Sequence, residues 1–184
     1  SSFYDHPSSK IRLVGVTGTN GKTTTVTLLY KLFMQKGIQT GLISTIANYI
    51  NGERLDTRYT TPDAVQINAL LKEMTDRGCQ YAFMEVSSHA LKQKRISGLR
   101  FEAVLFTNIT HEHLDYHHTF KDYLYSKKLL FDHYVDSHSV GLINADDKPA
   151  LRTEVEPYVI TNEIATPLDK FLDAYNNYQG VNGA

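Results

Sequence analysis

At 184 residues, with 41% hydrophobic and 21% charged residues, the chain has the size and composition of one globular domain with a real core. No apolar run approaches the ~20 residues of a membrane-spanning helix, and a net charge of −1 gives no general attraction to nucleic acid or anionic lipid, so a polyanion would need a local site. The single cysteine, Cys79, has no partner for a disulfide or a CxxC metal site, which suits a reducing cytoplasm and a small buried apolar residue. The opening SSFYDHPSSK lacks a charged-then-apolar signal pattern, and a chain starting at Ser1 reads as an excised segment.

In chain order, the apolar run Ile11–Val16 predicts a first strand, Thr23–Gln35 a helix stopped by Gly37, and Thr40–Ile46 a further strand. A helix is expected over Asp63–Arg77, stopped by Gly78. Thr61-Pro62 would start it, because the Thr hydroxyl can cap free N–H groups and Pro lacks one. Tyr81–Val86 and Ala103–Phe106 read as strands, Phe120–Tyr134 as a helix and Val140–Ile143 as a last strand. Continuous rather than alternating apolar character suits strands covered on both faces. The order β-α-β-α-β-β-α-β implies an α/β fold, a doubly wound and mostly parallel sheet whose ligands collect at the carboxyl ends of the strands. Past Asp147 the chain turns polar, with Pro149, Pro157 and Pro167, and then Leu168, Phe171, Leu172 and Tyr175 at helical spacing predict a short terminal helix. The expected organisation is a core over 1–147 and a separate tail over 148–184.

The first strand runs into Thr17-Gly18-Thr19-Asn20-Gly21-Lys22-Thr23-Thr24-Thr25 and then a helix, which is the context of a phosphate-binding loop. Gly18 and Gly21 let backbone N–H groups converge on phosphate oxygens, and the helix N-terminus adds its positive dipole end. Lys22 would reach the β- and γ-phosphates, and Thr23 would offer its hydroxyl to Mg²⁺. The spacing departs from GxxxxGK[ST], since Val16 stands where the first Gly is expected. A Gly-rich turn with an exposed lysine is the alternative.

Strand Tyr81–Val86 ends in Glu85-Val86-Ser87-Ser88-His89, placing a carboxylate at the lip of the sheet. Glu85 is a natural Mg²⁺ ligand, since this hard cation prefers oxygen donors; a structural pair with a lysine is the alternative. After the next strand, His111, His113, His117 and His118 lie close together with Glu112 and Asp115. A zinc site is conceivable there, but HExxH spacing and thiols are missing, and only His113 is retained as a ligand candidate. Further on, Lys127 and Lys128 fall inside the helix Phe120–Tyr134, and periodicity points one of them inward. A desolvated lysine has a lowered pKa and a reactive neutral amine.

Four segments in register, GVTGTNGKTTT (Gly15–Thr25), MEVSSHAL (Met84–Leu91), FTNITHEHLDYH (Phe106–His117) and INADD (Ile143–Asp147), resemble the Mur ligases, most of all those forming the tripeptide of peptidoglycan precursors. The resemblance spans roughly Phe3 to Asp147 and implies the P-loop central domain with ATP and Mg²⁺. It further implies that Gly18, Thr19, Asn20, Gly21, Lys22, Thr23 and Thr24 hold the nucleotide. Thr23, Glu85, His113 and Lys127 as a carbamate would hold metal, with Lys22, His113 and Lys127 serving catalysis. Thr60, Thr61, Ser87, Gln93 and Arg95 match positions that hold UDP-N-acetylmuramoyl-Ala-Glu, whose negative charge Arg95 complements. Asn108 and Asn144 stand in matching motifs without an assigned role.

The implied reaction is carboxylate attack on the γ-phosphate, giving an acyl phosphate, followed by displacement with the amine of diaminopimelate or lysine. The family's N- and C-terminal domains, for the uridine nucleotide and the incoming amino acid, do not fit in 184 residues, so nucleotide binding with little turnover is expected. Folylpolyglutamate synthases share this chemistry, but Thr60–Asp63 and Ser87–Arg95 favour the muramoyl substrate. A non-catalytic nucleotide-binding module and a zinc protein are the readings from other classes.

Overall fold

The computed structural model describes residues 1–55, 62–110, 120–136 and 138–144. Its elements are β1 (Arg12–Thr17), α1 (Lys22–Gln35), β2 (Thr40–Ile43), β3 (Asn48–Ile50), β4 (Glu53–Leu55), α2 (Ala64–Asp76), β5 (Tyr81–Glu85), α3 (Ser88–Lys92), β6 (Ala103–Phe106), α4 (Phe120–Tyr134) and β7 (Val140–Ile143). The strands form one sheet in the order β4-β3-β2-β5-β1-β6-β7. From β2 to β7 across the sheet all pairings are parallel, and β3 and β4 add an antiparallel edge. This is the α/β fold expected from the sequence. No helix among the described residues is long and apolar enough to cross a membrane.

Both faces of the sheet are covered, which explains the unbroken apolar runs. Val14 and Val16 of β1 pack with Leu42 and Phe83 beneath Val26, Leu29 and Tyr30 of α1. Leu13 faces the other way, into a core with Leu71 and Met74 of α2 and Tyr123, Leu130 and Phe131 of α4. Gly15 shares that second face because a Cβ there would come within 2.7 Å of the buried Phe101 ring.

Three local features differ from expectation. The second strand stops at Ile43, and Asn48–Leu55 forms a β3–β4 hairpin that the sequence reading passed over. Its turn, Asn51-Gly52, has φ of 49° and 92°, the positive values favoured by Asn-Gly in tight hairpins. Helix α2 is capped by Asp63, whose side chain accepts from the Gln66 N–H while the Gln66 side chain accepts from the Asp63 N–H. That capping box replaces the expected Thr61-Pro62 start, and Thr61 itself lies outside the described residues. The short helix α3 had also gone unpredicted. The boundary at 147 and the terminal helix lie outside the described residues.

Removing the Asp63 cap should show directly in stability. We expect Asp63→Ala to lower unfolding free energy by about 1 kcal/mol, measured as a reduced urea midpoint at constant slope. Cys79 is buried, and burial pushes its thiol from 9.0 up to about 11. A thiol raised on folding favours the neutral form, so the linked stability is present below the unfolded value and lost as pH rises through the folded one. Iodoacetamide at about pH 8 should therefore spare the folded chain and label Cys79 in urea; equal labelling rates in both states would contradict this burial.

Candidate nucleotide and metal site

Parallel register brings the functional ends together. Val16 stands beside Glu85 and Thr17 beside Phe106, so the phosphate loop leaves the sheet between an acidic strand end and the Thr107-Asn108 exit of β6. Gly18, at φ 143°, is required twice over. A Cβ there would sit 2.0 Å from Thr107 Oγ1 and 3.1 Å from the Asn108 N, and the backbone angle itself favours glycine. Gly21 has open space around it but φ 84° as the N-cap of α1.

The β6 exit clasps the loop. The Thr19 N–H donates to the Asn108 carbonyl at 2.8 Å, and the Asn20 N–H donates to Asn108 Oδ1 at 2.9 Å. Asn108 Nδ2 returns a bond to the Asn20 carbonyl at 3.2 Å, which also accepts from Thr107 Oγ1 at 2.6 Å. Asn144 Nδ2 donates to the Thr107 carbonyl at 3.0 Å, extending the clasp to the end of β7. Asn108 and Asn144, left without a role by the sequence, thus fasten the loop. Thr19 turns inward, its Oγ1 accepting from the Thr110 N–H at 3.0 Å and lying 3.2 Å from the Tyr123 hydroxyl. The Thr19 and Asn20 N–H groups are engaged by Asn108, whereas those of Gly21–Thr24 belong to a first helical turn, whose N–H groups have no intrahelical acceptor and suit an anion.

Two ammonium groups meet at one oxygen. Lys22 Nζ donates to the Gly18 carbonyl at 2.9 Å and to that of Thr19 at 2.7 Å. Lys127 Nζ donates to the same Gly18 carbonyl at 2.7 Å. Lys127 is 1% exposed and lies 4.5 Å from the centre of the Tyr123 ring, whereas Lys128 pairs with Asp132 one turn along α4. The geometry therefore selects Lys127 as the inward lysine. Tyr123 touches both Lys127 and the phosphate loop; its place one turn before Lys127 is the spacing that could have revealed it.

Glu85 is buried at the end of β5. Its carboxylate accepts from the Thr45 N–H at 3.0 Å and from the Thr45 hydroxyl at 3.3 Å. Among the described residues no lysine, arginine or histidine pairs with it. A buried carboxylate held only by neutral donors is characteristic of a cation site, and its oxygens suit a hard divalent ion. Thr23 lies half-buried in the first turn of α1, and the Thr17 hydroxyl is buried without a partner at the end of β1. The described residues contain no cluster of three His, Cys, Asp or Glu. His113 and the zinc candidates His111, His117 and His118 lie outside the described residues.

Of the expected substrate residues, Ser87 caps α3 by accepting from the Ala90 N–H at 3.1 Å. Gln93 is exposed at the end of that helix, and Arg95 is half-buried two residues on, its N–H bonded to the Ala90 carbonyl at 2.9 Å. Thr60 and Thr61 lie outside the described residues.

A central strand, glycine-bearing loop and helix, with an acid on the neighbouring strand end, define a P-loop-type nucleotide-binding α/β fold. The family model for the Mur ligase middle domain matches residues 16–182. The chain belongs to this family. It is 59% identical over 148 residues to the UDP-N-acetylmuramoyl-L-alanyl-D-glutamate–2,6-diaminopimelate ligase of Cytophaga hutchinsonii, covering 80% of this chain and 30% of that protein. The ligase of the same name from Bacteroides fragilis is 56% identical over 151 residues, covering 82% and 31%. A solved structure of such a ligase superposes with a TM-score of 0.68 at 34% identity, over 76% of this chain and 28% of that one. A Mycobacterium tuberculosis folylpolyglutamate synthase superposes with a TM-score of 0.61 over 82% of this chain and 41% of that one, but at 14% identity it is alike in fold alone. The chain thus spans about 30% of the length of its diaminopimelate-ligase relatives.

The tight seat of Gly18 gives a direct test. Gly18→Ala should destabilise the chain by about 2 kcal/mol or more, combining backbone strain with overpacking against Thr107, and a denaturation curve matching the parent would contradict the geometry.

Proposed function

We propose that this chain is the ATP-binding core of a cytoplasmic ligase that adds diaminopimelate to UDP-N-acetylmuramoyl-Ala-Glu. The observation that carries the reading is that the phosphate loop and Glu85 leave the carboxyl ends of the paired strands β1 and β5, with the buried Lys127 of α4 bonded to the Gly18 carbonyl of that loop. Diaminopimelate is favoured over lysine by the names of the relatives.

In this reading the N–H groups of Gly21–Thr24 and the Lys22 ammonium hold the β- and γ-phosphates. Lys22 exchanges its loop carbonyls for phosphate oxygens with little movement of its backbone. A bound Mg²⁺ would be held by Glu85, Thr23, His113 and Lys127 as a carbamate, and would offset phosphate charge during transfer. Carbamylation leaves one N–H on the lysine nitrogen, so the bond from Lys127 to the Gly18 carbonyl is compatible with it. Ser87, Gln93 and Arg95, on and just past α3, together with Thr60 and Thr61, would hold the muramoyl dipeptide so that its terminal carboxylate attacks the γ-phosphorus in line, breaking the bond to the β,γ-bridging oxygen and releasing ADP. The acyl phosphate formed is then opened by the amine of diaminopimelate, releasing phosphate. The uridine nucleotide and the amino acid are proposed to bind domains outside these 184 residues.

Titration calorimetry with ATP tests the core of the proposal. Binding should require Mg²⁺ and weaken at least ~10-fold in Lys22→Ala, equivalent to about 1.4 kcal/mol. Metal-independent binding, or an unaffected Lys22→Ala variant, would count against it. With all three substrates supplied, this chain alone should form little or no amide product.

A further inference from the structure

The turn after β2 is built to present one residue to Glu85. Ser44 Oγ donates to the Ala47 carbonyl at 2.7 Å, the Ala47 N–H returns a bond to Ser44 Oγ at 3.2 Å, and the Ser44 N–H donates to Asn48 Oδ1 at 3.2 Å. Ser44, Ala47 and Asn48 are all buried, while Thr45 and Ile46 between them are exposed. A pinned base with an exposed tip fixes the direction of the tip's backbone donors. One of these, the Thr45 N–H, lies 3.0 Å from Glu85 Oε1, and the Thr45 hydroxyl lies 3.3 Å from the same oxygen. The hydroxyl also lies 3.5 Å from Oε2, so it leans toward Oε1, the oxygen that the backbone N–H holds. Oε1 is therefore the more firmly held oxygen, with both shorter contacts, and Oε2 is the less engaged one.

We infer that Thr45 is a positioning residue that orients the Glu85 carboxylate for a divalent cation, with Oε1 held by Thr45 and Oε2 presented to the metal. The inference rests on the reading of Glu85 as a metal ligand. Partners of a metal-binding carboxylate restrict its rotation before the ion arrives, and their loss typically weakens metal binding 10–100-fold. A threonine suits the task because its backbone N–H and hydroxyl reach the same oxygen from one residue, without a charge that would compete with the cation. If Thr45 only tied β2 to β5, its hydroxyl would affect folding and leave metal affinity unchanged.

The test uses Mn²⁺ as the probe, titrated into the chain at a fixed concentration of a non-hydrolysable ATP analogue, with chain-bound Mn²⁺ followed by electron paramagnetic resonance against the same titration of the analogue alone. Melting temperature is measured in parallel. Thr45→Val, which keeps shape and backbone N–H but removes the hydroxyl, should weaken Mn²⁺ about 10-fold. Thr45→Ser, which restores the hydroxyl, should stay within about twofold of the parent, and Glu85→Gln should bind weakest. Should Thr45→Val be poorly folded, the comparison of Thr45→Ala with Thr45→Ser carries the same contrast. Parent-like Mn²⁺ affinity in Thr45→Val, with Glu85→Gln impaired, overturns the role of Thr45 while leaving Glu85 as a ligand. Parent-like affinity in Glu85→Gln overturns the metal reading of Glu85, and the role of Thr45 falls with it.

Discussion

The site depends on the clasp between the phosphate loop and the exit of β6. A glycine-bearing loop at a strand end has many conformations, and each ordered residue costs about 1–2 kcal/mol of backbone entropy. Here the cost is offset before any ligand binds. Asn108 pairs with both the N–H and the carbonyl of Asn20, and Thr107 occupies the space a side chain at Gly18 would need. The parallel register of β1 with β6, which sets Thr17 beside Phe106, makes the clasp possible. Its consequence is a division of labour within the loop. Thr19 and Asn20 are bonded to the β6 exit, while the first turn of α1 keeps N–H groups without an intrahelical acceptor.

The same register explains why so much of the site was legible in the sequence. Loop and acid both follow apolar runs, and parallel strands bring their carboxyl ends to one edge whatever the intervening chain does. What escaped was set by contacts between segments far apart in the chain. Nothing around Thr45 announces a partner at Glu85, forty residues away by their hydrogen bond. The β3–β4 hairpin was hidden by short strands of three residues each, too brief for alternation to register, although Asn51-Gly52 carried a turn signal. At α2, Thr61-Pro62 was the expected start, but the Asp63–Gln66 capping box engages two backbone groups in reciprocal bonds and fixes the boundary.

Adjacent lysines on a helix differ by about 100° in direction, so periodicity could say that one of Lys127 and Lys128 turns inward without choosing between them. The choice is made by what each meets. Lys127 finds the Gly18 carbonyl and the face of Tyr123, while Lys128 finds Asp132 on its own helix. A buried ammonium without such partners would be costly. Because its acceptor lies on the phosphate loop, Lys127 makes α4 part of the site's support.

Groups of both signs gather near the carboxyl ends of β1 and β5. At Gly18 two ammonium groups share one carbonyl oxygen, and at the end of β5 the Glu85 carboxylate is held by neutral donors. A bare anion would answer the lysines but be repelled by Glu85. A bare dication would answer Glu85 but be repelled by Lys22, and by Lys127 as well until carbamylation turns that ammonium into an anionic ligand. A polyphosphate carrying its own divalent ion presents both signs at once, with the metal beside the transferable phosphates. In the proposed reading such a complex suits the arrangement better than either component alone, and Coulomb interactions at close range would couple the two affinities.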